Sequence, residues 1–388
     1  MRILLLAEYS NVHWTLAEGL RALGHEVTVV SDGDHWKGYR RDIDLRRRSL
    51  GKWDTLRYLI DIRRILPRLR DYDVVQLINP VFLDLRAERI LPHYKRLRKQ
   101  NGRFFLGSFG IDKPWVEEGL KPDTFRYSDF YLFGQRRDNV DTRQMEADWL
   151  HGPKGELFDA IASDADGIIA GLYENYRCCQ AKYEGKLHFI PFPISSPSLT
   201  PPVGWRNSNF PLGDDRRHLR SEEEQEFSIF NKTKFFIGVQ RSRSAYKGTD
   251  IMLRALERLK AKYPDRMEIV KAENVPFSQY CEMMQGSHVL LDQLYSYTPA
   301  MNALQAMSQG LVVVGGGEPE HYALLGEDEL RPIINMQPTE DDVFLQIEQR
   351  LLLHPEALEQ LSRDSVEYVR RHHDPIRVAR QYLEVWSK

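Results

Sequence analysis

Two runs of short apolar strands that alternate with amphipathic helices fill most of the chain, and this alternation constrains the fold more than any other feature. The first run opens with the strand pattern RILLLA from Arg2 and the helix pattern VHWTLAEGLRALG, and it ends with the strand LHFIP from Leu187. The second opens with KFFIGV from Lys234 and ends in at least two helices. Such alternation is typical of parallel sheets covered by helices on both faces. The sequence therefore predicts two doubly wound, Rossmann-like α/β domains.

The stretch between the two runs, residues 196–230, predicts an interdomain linker. It is rich in proline, serine, glycine and charge, and poor in periodic apolar residues. We place an N-terminal domain at residues 1–195 and a C-terminal domain at 231–370. Ligands of open parallel sheets bind beyond the carboxyl ends of the strands, so we expect the two domains to face each other across an interdomain cleft that holds the site.

Composition excludes several classes of protein. Of the 388 residues, 42% are hydrophobic and 28% are charged, as in soluble globular proteins. The longest apolar runs have the length of strands, far from the roughly 20 residues of a membrane span. The N-terminus shows no signal-peptide cleavage site. The three cysteines, Cys178, Cys179 and Cys281, match neither a disulfide framework nor a zinc site, so we expect a reducing, cytoplasmic location.

Positive charge is concentrated in two segments of the first domain. Residues 37–70 hold twelve basic and four acidic side chains, and residues 86–103 hold seven basic and one acidic. These cations are either the solvated outer faces of helices or a patch for an anionic membrane surface or a phosphate-bearing substrate. A nucleic-acid partner is not expected, because the isoelectric point is near 6.7 and no binding motif accompanies the patch.

The stretch GVQRSRSAYKGTD, from Gly238 to Asp250, places three cations between a predicted strand and a predicted helix. They are Arg241, Arg243 and Lys247. Guanidinium forks suit phosphate oxygens, and Lys247 would lie at the start of a helix. The alternatives are a solvated loop and a phosphate site.

Two further loops of the second domain also join a strand to a helix. In SYTPAMNALQAMSQG we expect Thr298 to cap the helix and Pro299 to take its first position, which leaves the amides around Ala300–Asn302 free to attract an anion. In GGGEPEHY the glycines Gly315–Gly317 allow the backbone to approach a ligand closely. Three such loops in this order favour the phosphate site.

The second half resembles the donor domain of GT-B glycosyltransferases, in particular the retaining enzymes often numbered family 4. Those enzymes show Gly-Arg followed by Lys-Gly, two glutamates of which the second lies in an EAMA-x-G-x-P motif, and then GGxPE. The matching residues are Gly238, Arg241 or Arg243, Lys247 and Gly248; QAMSQG from Gln305 to Gly310; and Gly316, Gly317, Pro319 and Glu320. In the first half the resemblance is topological, apart from GSFGID, which falls where relatives have an HGSD-like turn.

The resemblance implies a GT-B fold and a glycosyltransferase that moves a sugar from a nucleotide-diphosphate sugar to a glycan or lipid-linked acceptor, with retention of configuration, in cell-surface polysaccharide synthesis. Residues 1–195 then form the acceptor side and 231–370 the donor domain, and the helix of residues 371–388 returns to the first domain. The co-substrate expected first is a UDP-sugar, with GDP second, and no other cofactor is expected. Any membrane contact would be peripheral and electrostatic, at the inner face.

The implied site residues follow from the matched motifs. Arg241, Arg243, Lys247 and His13 are the predicted catalytic residues. The predicted donor-binding residues are Gly238, Gly248, Tyr297, Thr298, Pro299, Ala300, Gln305, Gly316, Gly317 and Glu320.

Departures from the family pattern leave other functions open. Gln305 replaces the second glutamate, which in relatives holds the ribose hydroxyls, and Tyr297 takes the place of the first. A glutamine amide oxygen can still accept those hydrogen bonds. Phe109 and Gly110 stand in the HGSD-like turn without its histidine. The alternatives are a sugar-nucleotide-binding protein without transferase activity and a GT-B-fold sugar-nucleotide epimerase.

Acceptor-side candidates come from the loops after the first and fourth expected strands. In EYSNVHW, His13 would orient an acceptor hydroxyl or help its proton leave, or it is a capping or solvated histidine; Asn11 and Asp112 are the predicted acceptor-binding residues. The long stretch 108–155 is rich in aromatic residues that either stack on sugar rings or form a small core of their own: Trp115, Phe125, Tyr127 and Tyr131.

Four Asp-x-Asp triplets do not predict a metal site. They lie at Asp32–Asp34, Asp42–Asp44, Asp71–Asp73 and Asp164–Asp166. In a chain with many aspartates, about two would arise by chance, and two of the four stand before strands, where turn chemistry accounts for them. We predict a metal-independent site.

Overall fold

The computed structural model describes residues 1–195, 232–240 and 243–388, which divide into two compact units. The first unit comprises Met1–Ser195, Glu318–Asp328 and Arg370–Lys388. The second comprises the described residues between 232 and 317, together with Glu329–Val369. Segment Glu318–Asp328 thus packs with the first unit, although the sequence assigned it to residues 231–370. The boundaries of the functional domains stay predictions, and the predicted linker lies outside the described residues.

A parallel sheet forms the centre of the first unit. The described strands of the sheet are β1 (Arg2–Leu6), β2 (Glu26–Ser31), β3 (Ile43–Asp44), β4 (Val74–Leu77), β5 (Arg103–Ser108), β8 (Gly167–Ala170) and β9 (Leu187–Phe189). Two further strands, β6 (Tyr131–Leu132) and β7 (Gln135–Arg136), form a separate antiparallel pair. The strand order is β3-β2-β1-β4-β5-β8-β9. All neighbours in this sheet are parallel.

A second parallel sheet forms the centre of the second unit. Its described strands are β10 (Thr233–Val239), β11 (Met267–Glu273), β12 (Val289–Leu291), β13 (Val312–Gly315) and β14 (Ile334–Asn335), in the order β11-β10-β12-β13-β14. Phe235, Ile237 and Leu291 point into one continuous core with Leu256 and Val314. The two predicted doubly wound α/β sheets are therefore confirmed.

The helices lie between the strands in sequence. They are α1 (Val12–Ala22), α2 (Lys52–Ile65), α3 (Leu91–Gln100), α4 (Lys113–Gly119), α5 (Val140–Trp149), α6 (Pro153–Asp164), α7 (Tyr173–Tyr183), α8 (Ser244–Lys247), α9 (Thr249–Lys262), α10 (Phe277–Gln285), α11 (Met301–Ser308), α12 (Pro319–Leu325), α13 (Glu340–Ile347), α14 (Ala357–His372) and α15 (Pro375–Ser387). None of the described helices is long and apolar enough to cross a membrane.

The first helix ends as its sequence indicates. Gly24 has a φ of 84°, in the left-handed region that glycine adopts without strain. This turn lets the amide of His25 donate to the carbonyl of Leu20 at 3.1 Å, which satisfies one carbonyl of the last turn. The chain then enters β2 beside β1.

Three aspartates of the Asp-x-Asp triplets stand directly before a strand, and each accepts a hydrogen bond from a neighbouring strand. Asp73 accepts from the amide of Arg2, Asp42 from that of Val29 and Asp166 from that of Phe104, each at 2.7 Å. Each carboxylate satisfies a backbone donor at the sheet. These contacts support a structural role for the triplets.

The last helix belongs to the first unit because α15 packs closely on α1. A Cβ at Gly19 would lie 2.1 Å from the carbonyl oxygen of Pro375, so only glycine permits this approach. Trp386 is buried, and its carbonyl accepts from Nη1 of Arg103 at 2.9 Å. The C-terminal segment thereby completes the hydrophobic cover of the first sheet.

Candidate functional site

Three loops of the second unit meet at one edge of its sheet. They follow β10, β12 and β13, which are adjacent and parallel. The carboxyl ends of these strands therefore lie side by side, and the loops can touch. We call them the basic loop (the described residues of 240–248), the middle loop (residues 292–300) and the glycine loop (residues 315–317).

Backbone contacts join the basic loop to the middle loop. The amide of Leu294 donates to the carbonyl of Lys247 at 3.1 Å. Gly248 has a φ of 72°, and a Cβ there would lie 2.6 Å from Cβ of Leu294. Glycine is therefore required at this position both by its backbone conformation and by the closeness of the two loops.

The glycine loop packs on the middle loop in the same way. A Cβ at Gly316 would stand 2.4 Å from the carbonyl oxygen of Ser296, a backbone atom that cannot move aside alone. On the other side, the amide of Gly317 donates to Oδ1 of Asn335 on β14 at 3.3 Å. The three loops therefore form one connected surface at the carboxyl edge.

A hydrogen-bonded chain of side chains supports this surface from beneath. Tyr280 donates its hydroxyl to Oδ1 of Asn302 at 2.9 Å, and Nδ2 of Asn302 donates to Oδ1 of Asp292 at 2.9 Å. Burial raises the pKa of Asp292, although Asn302 and the charge of Lys247 oppose the shift. The raised pKa reflects the cost of burying a charged carboxylate at this position.

Sequence reasoning missed this network. The one available signal was the polar Asp292 directly after the apolar run HVLL, at a strand's carboxyl end.

The helix after the middle loop begins later than predicted. Its first residue is Met301, and Ala300 is the N-cap, with no side-chain capping bond. Thr298 as cap and Pro299 as first helical residue are therefore wrong. Thr298 is buried, and its carbonyl accepts from Oγ of Ser296 at 2.7 Å, so the chain stays in the loop for two more residues.

The start of α11 still offers amides at the carboxyl edge. The first backbone bond of the helix runs from the amide of Leu304 to the carbonyl of Ala300 at 3.0 Å. The amides of Met301, Asn302 and Ala303 consequently have no carbonyl partner within the helix. A helix start with such amides is a place where an anion can bind.

Two of the three predicted cations lie within the described residues. Lys247 is the last residue of α8 and is half-buried. The guanidinium of Arg243 lies over the ring of Tyr246, with 4.8 Å from Cζ to the ring centroid, so its planar fork is held in place. Arg241 lies outside the described residues.

Other predicted donor residues border the same edge. A Cβ at Gly238 would come within 2.8 Å of the ring of Tyr280, so this position requires glycine to seat the ring below the loops. Tyr297 is buried in the middle loop. Gln305, on α11, is half-buried and donates Nε2 to Oγ of Ser308 at 3.3 Å.

In the first unit, His13 is a buried histidine next to a buried glutamate. Nδ1 of His13 lies 2.8 Å from the carbonyl of Ala7, which can only accept, so Nδ1 carries the proton. Nε2 then carries a lone pair, and this atom has no hydrogen-bond partner among the described residues. Burial lowers the pKa of His13 to about 3, so the ring is neutral.

Glu8, which sequence reasoning did not single out, holds the start of α1. Its carboxylate oxygens accept from the amides of His13 and Trp14 at 3.1 and 2.9 Å. Burial raises the pKa of Glu8 to about 8, against these two bonds. Buried groups with strongly shifted pKa values at a strand's carboxyl end are often found at functional sites.

The backbone around Asn11 is strained. Ala7, Ser10 and Asn11 all have positive φ, and Asn11 is the N-cap of α1 in the left-handed region. Asp34 braces the turn, because it accepts from the amide of Ser10 at 2.8 Å and pairs with Lys37 at 2.6 Å. Such strain persists only where surrounding contacts enforce it, and it is common at functional sites.

Asp112 is engaged in its own turn. One oxygen accepts from the amide of Trp115 at 3.0 Å and caps α4, and the other accepts from the hydroxyl of Ser108. Burial raises the pKa of Asp112 to about 6. Asn175 braces the turn by donating to Oγ of Ser108 at 3.2 Å and to the carbonyl of Gly110 at 2.7 Å.

Glu320, a predicted donor-binding residue, is held by Arg126 within the first unit. Arg126 contacts both oxygens of Glu320 and donates to Oε2 of Glu318 at 2.7 Å. Partial burial raises the pKa of Glu320, but the hydrogen bonds from Arg126, a backbone hydrogen bond and the charge of Arg126 together hold that pKa below its usual value. The hydroxyl of Tyr127 donates to Glu318.

Two of the four aromatic residues singled out in stretch 108–155 contribute to a small core. Phe125 and Tyr127 are buried and meet Tyr173 and Phe133 edge to face, with ring centroids 6.4 Å apart in each pair. Trp115 and Tyr131 are half-buried, and the indole of Trp115 donates to Asp129 at 3.2 Å.

Comparisons with known proteins identify the fold. Sucrose-phosphate synthase from Thermosynechococcus elongatus matches with a TM-score of 0.58 and 16% identity over 100% of this chain and 98% of its own. HepE from Anabaena in complex with UDP-glucose matches with a TM-score of 0.57 and 13% identity over 100% and 99%. WaaG, a glycosyltransferase of lipopolysaccharide biosynthesis, matches with a TM-score of 0.51 and 14% identity over 98% of each chain.

These matches show that the chain has the α/β fold of GT-B glycosyltransferases. No protein-family model and no curated protein sequence matches the chain. The retaining family 4 subtype and the roles of the predicted site residues therefore stay predictions. Across residues 1–195, 232–240 and 243–388, no group of three His, Cys, Asp or Glu side chains is arranged to hold a metal ion.

Proposed function

We propose that this chain is a glycosyltransferase that moves a sugar from a nucleotide-diphosphate sugar to a glycan or lipid-linked acceptor. One observation carries the proposal. The basic, middle and glycine loops are joined by close backbone contacts at the carboxyl edge of three adjacent strands, and Lys247, Arg243 and the start of α11 belong to or directly follow these loops. That combination of cations, free amides and close-packed glycines suits a diphosphate.

The chemistry assigned to this edge is stabilisation of the leaving group. When the bond between the sugar and the diphosphate breaks, negative charge builds on the departing phosphate oxygens. Lys247, the guanidinium of Arg243 and the amides of Met301–Ala303 offset that charge without moving, because the loops are already fixed to each other. Arg241 is part of the proposal by its place in the sequence.

The nucleoside end is assigned to Gln305. Its Nε2 is bonded to Ser308, which leaves Oε1 to accept a ribose hydroxyl. UDP is the proposed nucleotide, with GDP second; HepE, a protein of the same fold, binds UDP-glucose. Retention of configuration and independence of metal belong to this proposal through the family resemblance.

The acceptor hydroxyl is assigned to the first unit. Nε2 of His13 carries a lone pair on a neutral imidazole. It therefore accepts a hydrogen bond from the acceptor hydroxyl and orients the hydroxyl oxygen. Asn11 and Asp112 complete the proposed acceptor side. A role in cell-surface polysaccharide synthesis follows if the acceptor is lipid-linked, and the basic segments 37–70 and 86–103 then provide peripheral contact with an anionic membrane.

The test is a thermal-shift panel of UDP- and GDP-sugars combined with an assay for release of nucleoside diphosphate. A transferase is stabilised by one nucleotide class and releases the diphosphate, faster with acceptor present. Stabilisation without release would instead identify a binding protein. Epimerisation of UDP-N-acetylglucosamine without acceptor would identify an epimerase, and no stabilisation by any nucleotide sugar would refute the proposal.

A further inference from the structure

Helix α2 carries a stripe of exposed apolar side chains. Trp53 is 84% exposed, Leu56 49% and Ile60 44%, and Leu50, just before the helix, is 83% exposed. Their spacing of three and four residues places Trp53, Leu56 and Ile60 on one face. An exposed tryptophan beside two exposed aliphatic residues is energetically unfavourable, because burial of this apolar area would lower the free energy.

The stripe is not the face by which α2 attaches to its unit. At about 100° per residue, the buried Tyr58 and Ile62 lie on the side opposite Trp53 and Ile60. The core contact and the exposed stripe are therefore separate surfaces of one helix. A folding role does not explain the second surface.

Cations border the stripe on both sides. These cations are Arg46, Arg48, Lys52, Arg57, Arg63 and Arg64. None of the six makes an ion pair with another described residue. By the same helical arithmetic, Lys52 and Arg63 lie on one flank, and Arg57 and Arg64 on the other. Arg47 differs from its neighbours, because it donates to Oγ1 of Thr55 at 2.6 Å and is held inward.

We propose that the exposed face of α2 inserts its apolar stripe into an anionic lipid bilayer, with α2 lying in the plane of the interface. This inference rests on the membrane contact put forward above and replaces a purely electrostatic attachment with insertion. An apolar face rimmed by basic residues and carrying tryptophan is the pattern of an interfacial helix. The aliphatic side chains enter the acyl boundary, and the cations contact lipid phosphates.

A second copy of the chain is a poorer occupant of this face. Pairing two such faces would bring six cations of each copy together, and from Arg46 to Arg64 only Asp54 and Asp61 are acidic. Asp54 is already bonded to Oγ of Ser49 at 2.5 Å. The surplus of positive charge favours an anionic surface and disfavours self-association.

The test is co-sedimentation of the full chain with vesicles of phosphatidylcholine, with and without phosphatidylglycerol, in low and high salt. Binding should require the anionic lipid, and a fraction should persist in high salt, because salt screens charge but not apolar insertion. Trp53→Gln combined with Leu56→Gln and Ile60→Gln should lower vesicle binding at least about tenfold. Arg46→Gln and Arg48→Gln should each lower it about fivefold.

The matched control removes exposed apolar residues elsewhere: Val140→Gln, Leu345→Gln and Leu353→Gln. It should bind vesicles as the wild type does. Lipids with brominated acyl chains should quench part of the tryptophan fluorescence of the wild type, because quenching requires an indole to reach the depth of the acyl chains. This quenched part should be missing in Trp53→Gln.

Several outcomes would overturn the inference. The first is vesicle binding that disappears entirely in high salt. The second is an α2 variant that binds vesicles as well as the control variant does. The third is a wild type that dimerises without lipid while the α2 variant is monomeric. Binding of a nucleotide sugar, measured without vesicles, is scored separately. A chain that binds vesicles through α2 but no nucleotide sugar would refute the proposed transferase and leave this inference standing.

Discussion

The amide of Leu294 donates to the carbonyl of Lys247 at 3.1 Å, so a backbone hydrogen bond joins the basic loop to the middle loop. Gly248, which follows, fixes the close approach. Lys247→Ala removes the side-chain charge but retains this backbone hydrogen bond and Gly248. The charge of Lys247 can therefore be tested apart from the architecture that presents it.

We predict that Asn302→Ala lowers the free energy of unfolding of the second unit by about 1–3 kcal/mol. The substitution leaves Oδ1 of Asp292 and the hydroxyl of Tyr280 without the amide that joins them. Denaturant unfolding measures the loss. Gln285→Ala, at an exposed helical position, is the control and should change stability by less than about 0.5 kcal/mol. Equal stability of the two variants would mean that the network contributes nothing.

Gly316→Ala should weaken nucleotide-sugar binding and lower the melting temperature. The added methyl would collide with the carbonyl of Ser296, which forces the glycine loop and the middle loop apart. Gly286→Ala is a matched control in the same unit, since its nearest backbone neighbours are 4.0 Å away and its φ is ordinary. Calorimetric titration of both variants checks the prediction, and unaltered affinity in Gly316→Ala would contradict it.

Sequence patterns predicted the regular elements because these depend on local periodicity. The strand RFFLGS coincides with β5 and the pattern PEHYALL with α12. The order in which strands end also predicted which loops could meet, because parallel strands share a carboxyl edge. The fold and the three-loop surface were accessible for that reason.

The rest depends on contacts between residues distant in sequence. Arg126 and Glu320 form an ion pair although they are 194 residues apart in the sequence, and no local pattern predicts this pair. The start of α11 was misplaced because Thr298 and Pro299 have the chemistry of a helix start, whereas tertiary packing buries Thr298 in the loop. The charge count of segment 37–70 was visible in the sequence, but the apolar stripe of α2 became evident only from exposure.

His13→Gln should lower the turnover number by about 10²-fold and leave the shape of the pH–rate profile unchanged. The pKa of His13 is near 3, so its imidazole is neutral throughout the range from pH 5 to 8 and contributes no inflection there. Initial rates of transfer over that range measure both features. An inflection near pH 6–7 that the variant lacks would show instead that His13 titrates as a general base.

Lys247→Ala tests the central claim most directly. If Lys247 offsets charge on the leaving diphosphate, the single-turnover rate of nucleotide-sugar cleavage should fall by about 10²–10³-fold, while the Kd for the donor rises far less. Lys262→Ala, which removes a cation at the opposite end of α9, is the control and should retain the wild-type rate. An unchanged rate in Lys247→Ala, or a loss confined to donor affinity, would contradict the account.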